Sequence, residues 1–532
     1  MKTLSSLSKR IVSVMLVLVV FVALLGPSAG AMQAGGVQSY IVQGSDVEQV
    51  VRLVEKYGGE VTSRLDLIGG VGATLPLRSV AALQAEAGIS AVFPNAAVRL
   101  ADVAATGGNN YIPATDYPEV VGANHVWDEG NLGTGVTVAV VDTGLGWHPG
   151  IYLNAYGKLK NRVVGWVDFV EGKFLPRDPN GHGTHVAGII ADSMKGTDGA
   201  YNGVAPNVRL VGVRVLDKNG ASTYEKVIQG IQWVIAWKDV LDIQVMNLSL
   251  VSPAQSPYWA DPLDQAVMQA WASGIVVVTA AGNGGPAPMT VGVPGNVPYV
   301  ITVGAFTDNY TPMDWNDDYI TPFSAAGPTL DAFVKPDVVA PGAHMASAML
   351  ANAKLYRDYP QNRLTPFYFS MAGTSQATAV VSGIAALMLA EDPTLTPDEV
   401  KFRIMGTSFV WVDLATNEAL YSMWQQGTGR VSAYDAVTTD AEGAANQGMD
   451  ILEDLAGNIH YQGQTVYDEA TGTFQINGLG SWASGYGSWA GGYGSWAGGY
   501  GSWASGLGSW ASGLGSWASG WGSWASGLGS WA

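Results

Sequence analysis

Val136-Thr137-Val138-Ala139-Val140-Val141-Asp142-Thr143-Gly144 is the stretch that decides the fold. Its first six residues carry no charge, and every second position on either face is apolar or β-branched. Such a run suits a strand covered on both sides, as in a parallel sheet. It ends by delivering a carboxylate into a Gly turn. Runs of the same kind recur at 209–216, 243–250, 275–280 and 299–303. Between them lie helical spacings. Over 224–238, Val227, Ile228, Ile231, Val234 and Ile235 share one face. A second helix is predicted from about Ser375 through Leu389, and a third over 397–405, entered through the capping residue Thr396. Strands alternating with helices across residues 112–440 predict an α/β fold with a mostly parallel central sheet.

The chain around this region is segmented. Lys2, Lys9 and Arg10 precede an apolar run over 11–25 interrupted only by Ser13, and small residues end at Ala29-Gly30-Ala31. That is the pattern of a cleaved export signal, residues 1–31. The run is short of the ~20 residues that span a bilayer. Residues 32–111 read as a small α+β module. Strand-like runs start at Tyr40 and cover 70–77 and 89–98, with helical spacings over 46–57 and 80–87. Residues 441–479 show no strong period and read as a linker. Residues 480–532 repeat Gly-Ser-Trp-Ala every seven positions, with Trp at 482, 489, 496, 503, 510, 517, 524 and 531. Exposed Trp and Tyr in such a tail suit contact with glycans or a cell surface.

Composition narrows the function. The formal net charge is −18, which disfavours nucleic acid as a partner because phosphates attract Lys and Arg. There is no cysteine. An exported chain of this kind relies on packing rather than disulfides.

Three short segments carry reactive side chains. Asp142 ends the first strand, although an Asp there also caps turns. Asn180-Gly181-His182-Gly183-Thr184-His185-Val186-Ala187-Gly188 places two imidazoles three residues apart. A helical zinc peptidase motif needs a spacing of four and an intervening Glu, so His182 reads as the reactive group and His185 as structural. Gly373-Thr374-Ser375-Gln376-Ala377-Thr378 puts Ser375 at a helix start, where backbone N–H groups are free and partly positive.

In this order the three segments resemble the subtilisin family (the subtilases). Further similar segments sit among them: Gly203-Val204-Ala205-Pro206, Met246-Asn247-Leu248-Ser249, Ala280-Ala281-Gly282-Asn283, Phe323-Ser324-Ala325-Ala326-Gly327-Pro328 and a run from Lys335 to Gly342. The resemblance covers residues 112–440. It implies a subtilisin-like three-layer fold and a serine endopeptidase acting through an acyl-enzyme. The triad would be Asp142, His182 and Ser375, with Asn283 in the oxyanion hole. Ser249, Leu250 and Val251 would form the edge that pairs with substrate, with Val251 standing where the family usually has Gly. It also implies that residues 32–111 are an inhibitory propeptide, and that the partners are protein or peptide substrates. The chemistry needs no cofactor and no metal ligand is assigned. The family's strong calcium site often has Asp after His-Pro, whereas here Gly150 follows His148-Pro149, so calcium is not expected at that place.

Overall fold

The computed structural model describes residues 36–101, 116–155, 161–413, 418–470 and 472–477. The expected export signal (1–31), the repeat tail (480–532) and positions 102–111 of the expected propeptide lie outside the described residues. Among the described residues no helix is long and apolar enough to cross a membrane. The chain forms two compact units: residues up to 64 together with 71–94, and residues 65–70 together with 95 onward.

The first unit is a four-stranded sheet with two helices. In chain order it runs β1 (Val37–Gly44), α1 (Val47–Lys56), β2 (Glu60–Leu65), β3 (Gly70–Pro76), α2 (Leu77–Gln84) and β4 (Ile89–Pro94), and its strand order is β2-β3-β1-β4. Asp46 caps α1 by accepting from the Gln49 N–H. Val50 and Val54 of α1 bury against Tyr40, Val42, Val71, Ala73 and Leu75. Strand β2 was not anticipated, because only Val61 and Leu65 are apolar and the polar residues Thr62, Ser63 and Arg64 separate them. The single strand expected over 89–98 is in fact two. It breaks after Pro94, and the second piece belongs to the other unit.

That second unit begins with β5 (Ala97–Leu100). It continues through β6 (Thr137–Asp142), β7 (Val163–Asp168), α3 (His182–Ala191), β8 (Arg209–Arg214), β9 (Ala221–Thr223), α4 (Tyr224–Leu241), β10 (Ile243–Leu248) and β11 (Leu250–Val251). Then come α5 (Pro262–Ala272), β12 (Val276–Ala280), β13 (Ile301–Thr307), β14 (Tyr319–Ile320), β15 (Val338–Pro341), α6 (Thr374–Glu391) and α7 (Pro397–Gly406). The main sheet has the order β14-β13-β12-β10-β6-β8-β7, with β15 beside β13. Its pairings are parallel except β13 with β14. Helices α3 and α6 pack on one another and on the sheet, while α4 and α5 form a second helical layer. Every residue of β6 is buried, as its uninterrupted apolar run requires. Helix α6 is buried from Thr374 to Leu389, so it runs through the core of this unit.

The segment expected as a linker is part of this unit. Ile476 packs with Met423 and Trp424. The Asp454 carboxylate is buried and accepts from the hydroxyls of Tyr258 (2.6 Å) and Tyr299 (2.9 Å). These anchors are single residues scattered over a polar stretch, which is why no period announces them.

Candidate active site

The C-terminal end of β6 and the N-terminal end of α3 meet at Asp142 and His182. Both are fully buried. His182 Nδ1 lies 2.8 Å from Asp142 Oδ1 and 3.0 Å from Oδ2. The close approach depends on glycine. A β-carbon at Gly183 would fall 2.2 Å from the Gly144 carbonyl oxygen, and one at Gly144, where φ is +135°, would fall 2.1 Å from that of Arg177.

A residue not singled out from the sequence holds this junction together. Asp178 accepts at one carboxylate oxygen from Thr143 Oγ1 (2.9 Å) and the Asn180 and Gly181 N–H groups, and at the other from Thr184 N (2.8 Å) and Oγ1 (2.7 Å). Thr143 Oγ1 in turn accepts from Gly183 N at 2.9 Å. The signal was present in Asp178-Pro179-Asn180-Gly181, an Asp preceding a tight turn into a helix.

His185 takes a structural place. Its Nε2 lies 3.1 Å from the Met345 carbonyl and 3.0 Å from that of Phe369, so this nitrogen carries the proton. Burial, and secondarily the neighbouring His182, pushes it down to about 3.

Ser375 is the second residue of α6. Its Oγ donates to the Ser249 carbonyl at 3.1 Å. Ser249 Oγ returns a bond to the Ser375 carbonyl at 3.0 Å and accepts from Asn247 Nδ2 at 2.9 Å. Asn283 Oδ1 accepts from both the backbone N–H and the hydroxyl of Thr374, each at 3.0 Å. This fixes the amide so that Nδ2, buried and without a hydrogen-bond partner, is left as a donor beside the start of α6.

The edge at Leu250–Val251 is paired with another strand of the chain itself. Strand β5 lies between β11 and β9, antiparallel to both, with Leu100 opposite Leu250 and Arg99 opposite Val251 and Ala221. Ala101 follows it. Its N–H donates to Ser249 O (3.4 Å), and its carbonyl accepts from the Ser375 N–H (3.0 Å). The Ala101 side chain is only 1% exposed. Beside Val251 lie two glycines: a β-carbon on Gly292 would fall 2.2 Å from Val251 Cγ2, and one on Gly282 3.4 Å from it.

At Gly150, the guanidinium of Arg162 bonds the carbonyls of Gly150, Ala191 (2.8 Å), Pro206 (2.9 Å) and Val208 (3.2 Å). A permanent cation therefore already occupies those oxygens.

A carboxylate-held imidazole, a helix-start serine and two N–H donors are the groups that a serine hydrolase acting on polypeptide would need. The sequence profile of the subtilase family matches residues 133–454, and the chain belongs to that family. It is 41% identical over 310 residues to serine protease AprX of Bacillus subtilis (strain 168), covering 57% of this chain and 66% of that one. It is 38% identical over 291 residues to subtilisin DY of Bacillus licheniformis, covering 54% and 89%. Alkaline elastase YaB of Bacillus sp. (strain YaB) is 36% identical over 304 residues, with 57% and 65% covered. The match to AprX thus spans just under two thirds of that relative's length.

The buried His185 makes stability depend on pH. An unfolded His takes up its proton near 6.5, whereas the folded one does so only near 3. Between those values the unfolded chain binds the extra proton, so stability falls as pH drops from about 6.5 toward 3. His185→Gln keeps a donor without the titration. Urea unfolding of parent and variant, both carrying Ser375→Ala, should show a gap that narrows through this window. A gap independent of pH would contradict it.

Proposed function

We propose that this protein is an exported serine endopeptidase that first cuts its own chain after Ala101. The observation that carries this reading is the Ala101 carbonyl, held 3.0 Å from the Ser375 N–H at the end of a strand paired to Leu250–Val251. Backbone pairing of that kind holds a peptide by its main chain and leaves alternate side chains to be sorted.

In the proposed reaction the Ser375 hydroxyl turns its proton from Ser249 to His182 Nε2, and Oγ adds to the carbonyl carbon. Asp142 holds the ring and stabilises the imidazolium. The oxyanion takes hydrogen bonds from the Ser375 N–H and Asn283 Nδ2. Loss of the corresponding Asn in subtilisin itself lowers turnover by about 10²–10³. His182 then protonates the leaving amine, the C–N bond breaks, and an acyl-enzyme remains. A water molecule, deprotonated by His182, releases the acid and restores Ser375. All protons are carried by the chain's own groups, so no cofactor enters.

In this reading the inhibitory segment ends at Ala101, ten residues before the boundary expected from the sequence, and the same hydrogen bond supports that end. A preference for small residues before the cut bond is supported by Val251, whose side chain fills the space beside Gly282 and Gly292. Calcium at the Gly150 loop is disfavoured because Arg162 takes its carbonyl oxygens. For the repeat tail, Trp every seventh residue supports attachment to a glycan or cell surface.

Three measurements follow from this reading. The parent should label with a fluorophosphonate, hydrolyse casein and yield a mature chain starting at Asp102. Ser375→Ala should do none of these and stay uncut. A mature N-terminus elsewhere would remove the assignment of Ala101, and a folded parent that neither labels nor cuts would remove the peptidase. Val251→Gly should raise kcat/KM for peptides with Phe or Leu before the cut bond by about 10–100-fold relative to Ala; an unchanged ratio would show that Val251 does not limit the site. Deleting residues 480–532 should release the enzyme from cells with peptidase activity intact, and unchanged retention would rule out attachment by the tail.

A further inference from the structure

Away from the catalytic groups, the C-terminal ends of two paired parallel strands converge on a third segment. Asp308 follows β13, His344 lies just beyond β15, and Asp116 precedes the short helix Tyr117–Val120. One ligand atom from each of Asp116, Asp308 and His344 lies within 4.8 Å of the others. A tetrahedral metal with bonds of about 2.1 Å sets its ligand atoms about 3.4 Å apart, so closure draws the ligand atoms together by at most about 1.4 Å.

Two further observations point to a ligand. Asp308 is only 3% exposed, and while its Oδ1 lies 2.6 Å from His344 Nε2, its Oδ2 is buried with no hydrogen-bond partner. A buried carboxylate oxygen left unpaired is costly, and the more so beside a second carboxylate. The nearby cation, Arg430, is bonded to Asp318. The imidazole is also held as a ligand's ring would be. Tyr310 stacks on it with centroids 3.7 Å apart, and Thr307 Oγ1 lies 3.4 Å from Nδ1.

We propose that Asp116, Asp308 and His344 form a binding site for a divalent transition metal, of which Zn²⁺ is the representative. One imidazole nitrogen and two carboxylate oxygens suit zinc, which takes such ligands at four-coordinate sites with water completing the shell. Calcium, which prefers six to eight oxygens, fits this set poorly. The bound ion ties the segment entering at Asp116 to the ends of β13 and β15. Its role is to hold that segment, not to take part in peptide hydrolysis.

The test uses the untagged full chain carrying Ser375→Ala, which removes self-cleavage. After chelator treatment and desalting, Zn²⁺ should bind at one ion per chain by elemental analysis, with a micromolar or tighter Kd, and raise the melting temperature by several degrees. His344→Gln and Asp116→Asn should each weaken binding at least 100-fold and abolish the thermal shift. Circular dichroism of each variant checks its fold, and Asp116→Asn decides the matter should His344→Gln fail to fold. No stoichiometric binding by the folded parent would overturn the site. So would undiminished binding in the folded variants, which would move the ion to another group such as His182. Tighter binding of Ca²⁺ than of Zn²⁺ would overturn the assignment of a transition metal.

Discussion

The Asp178 carboxylate is the point on which the reactive groups depend. It is buried and draws its hydrogen bonds from both sides of one junction: Thr143, just past the strand that ends in Asp142, and Thr184, in the helix that His182 opens. A short polar hub at the mouth of an otherwise apolar layer sets the distance between strand end and helix start. A carboxylate can accept at both oxygens, which suits a hub that gathers N–H and O–H donors from two elements. The glycines at 144 and 183 let the two backbones approach, and Asp178 holds them there.

Elsewhere the interior uses cations in a similar way. Lys335 Nζ donates to Val300 O and to Asp337, and Lys401 Nζ donates to the carbonyls of Pro298, Tyr299 and Val300. Together with Arg162 these groups neutralise clusters of inward-pointing carbonyls at loop ends. In a chain without cysteine, such hydrogen-bonded groups join loops that disulfides would otherwise join. Removing one partner leaves an unpaired buried group, which costs far more than the intact arrangement contributes.

Much of this was legible in the sequence. Strands β6, β8, β10 and β12 and helices α4, α6 and α7 announced themselves, because burial on both faces or along one stripe leaves a periodic trace. The Asp142–His182 contact and the fixing of Asn283 by Thr374 follow from short motifs whose small residues encode close approach. What was not legible is what lacks a period. Strand β7 carries half-exposed residues and Gly165, and residues 441–477 are anchored by scattered single residues such as Asn446, Asp454, Thr465 and Ile476. The break between Pro94 and Ala97 turns on a register that two different sheets decide. Asp178 was overlooked because an Asp in a turn is common, and only its partners in space set it apart. Asp116, Asp308 and His344 are nearly 230 residues apart in sequence from first to last, so only the folded chain brings them together.

Strand β5 is part of the same polypeptide as the groups it lies against, and that tether changes character at a single event. While the chain is intact the strand is an intramolecular ligand, present at an effective concentration that for short flexible connections reaches the millimolar range. Dilution cannot dislodge it. Once the bond after Ala101 is cut, the same hydrogen bonds must hold a separate molecule, and occupancy depends on how much of it is in solution. Under the proposed cleavage the enzyme would pass from a state indifferent to its surroundings to one that senses volume: quiet where the freed segment accumulates, and active where it disperses.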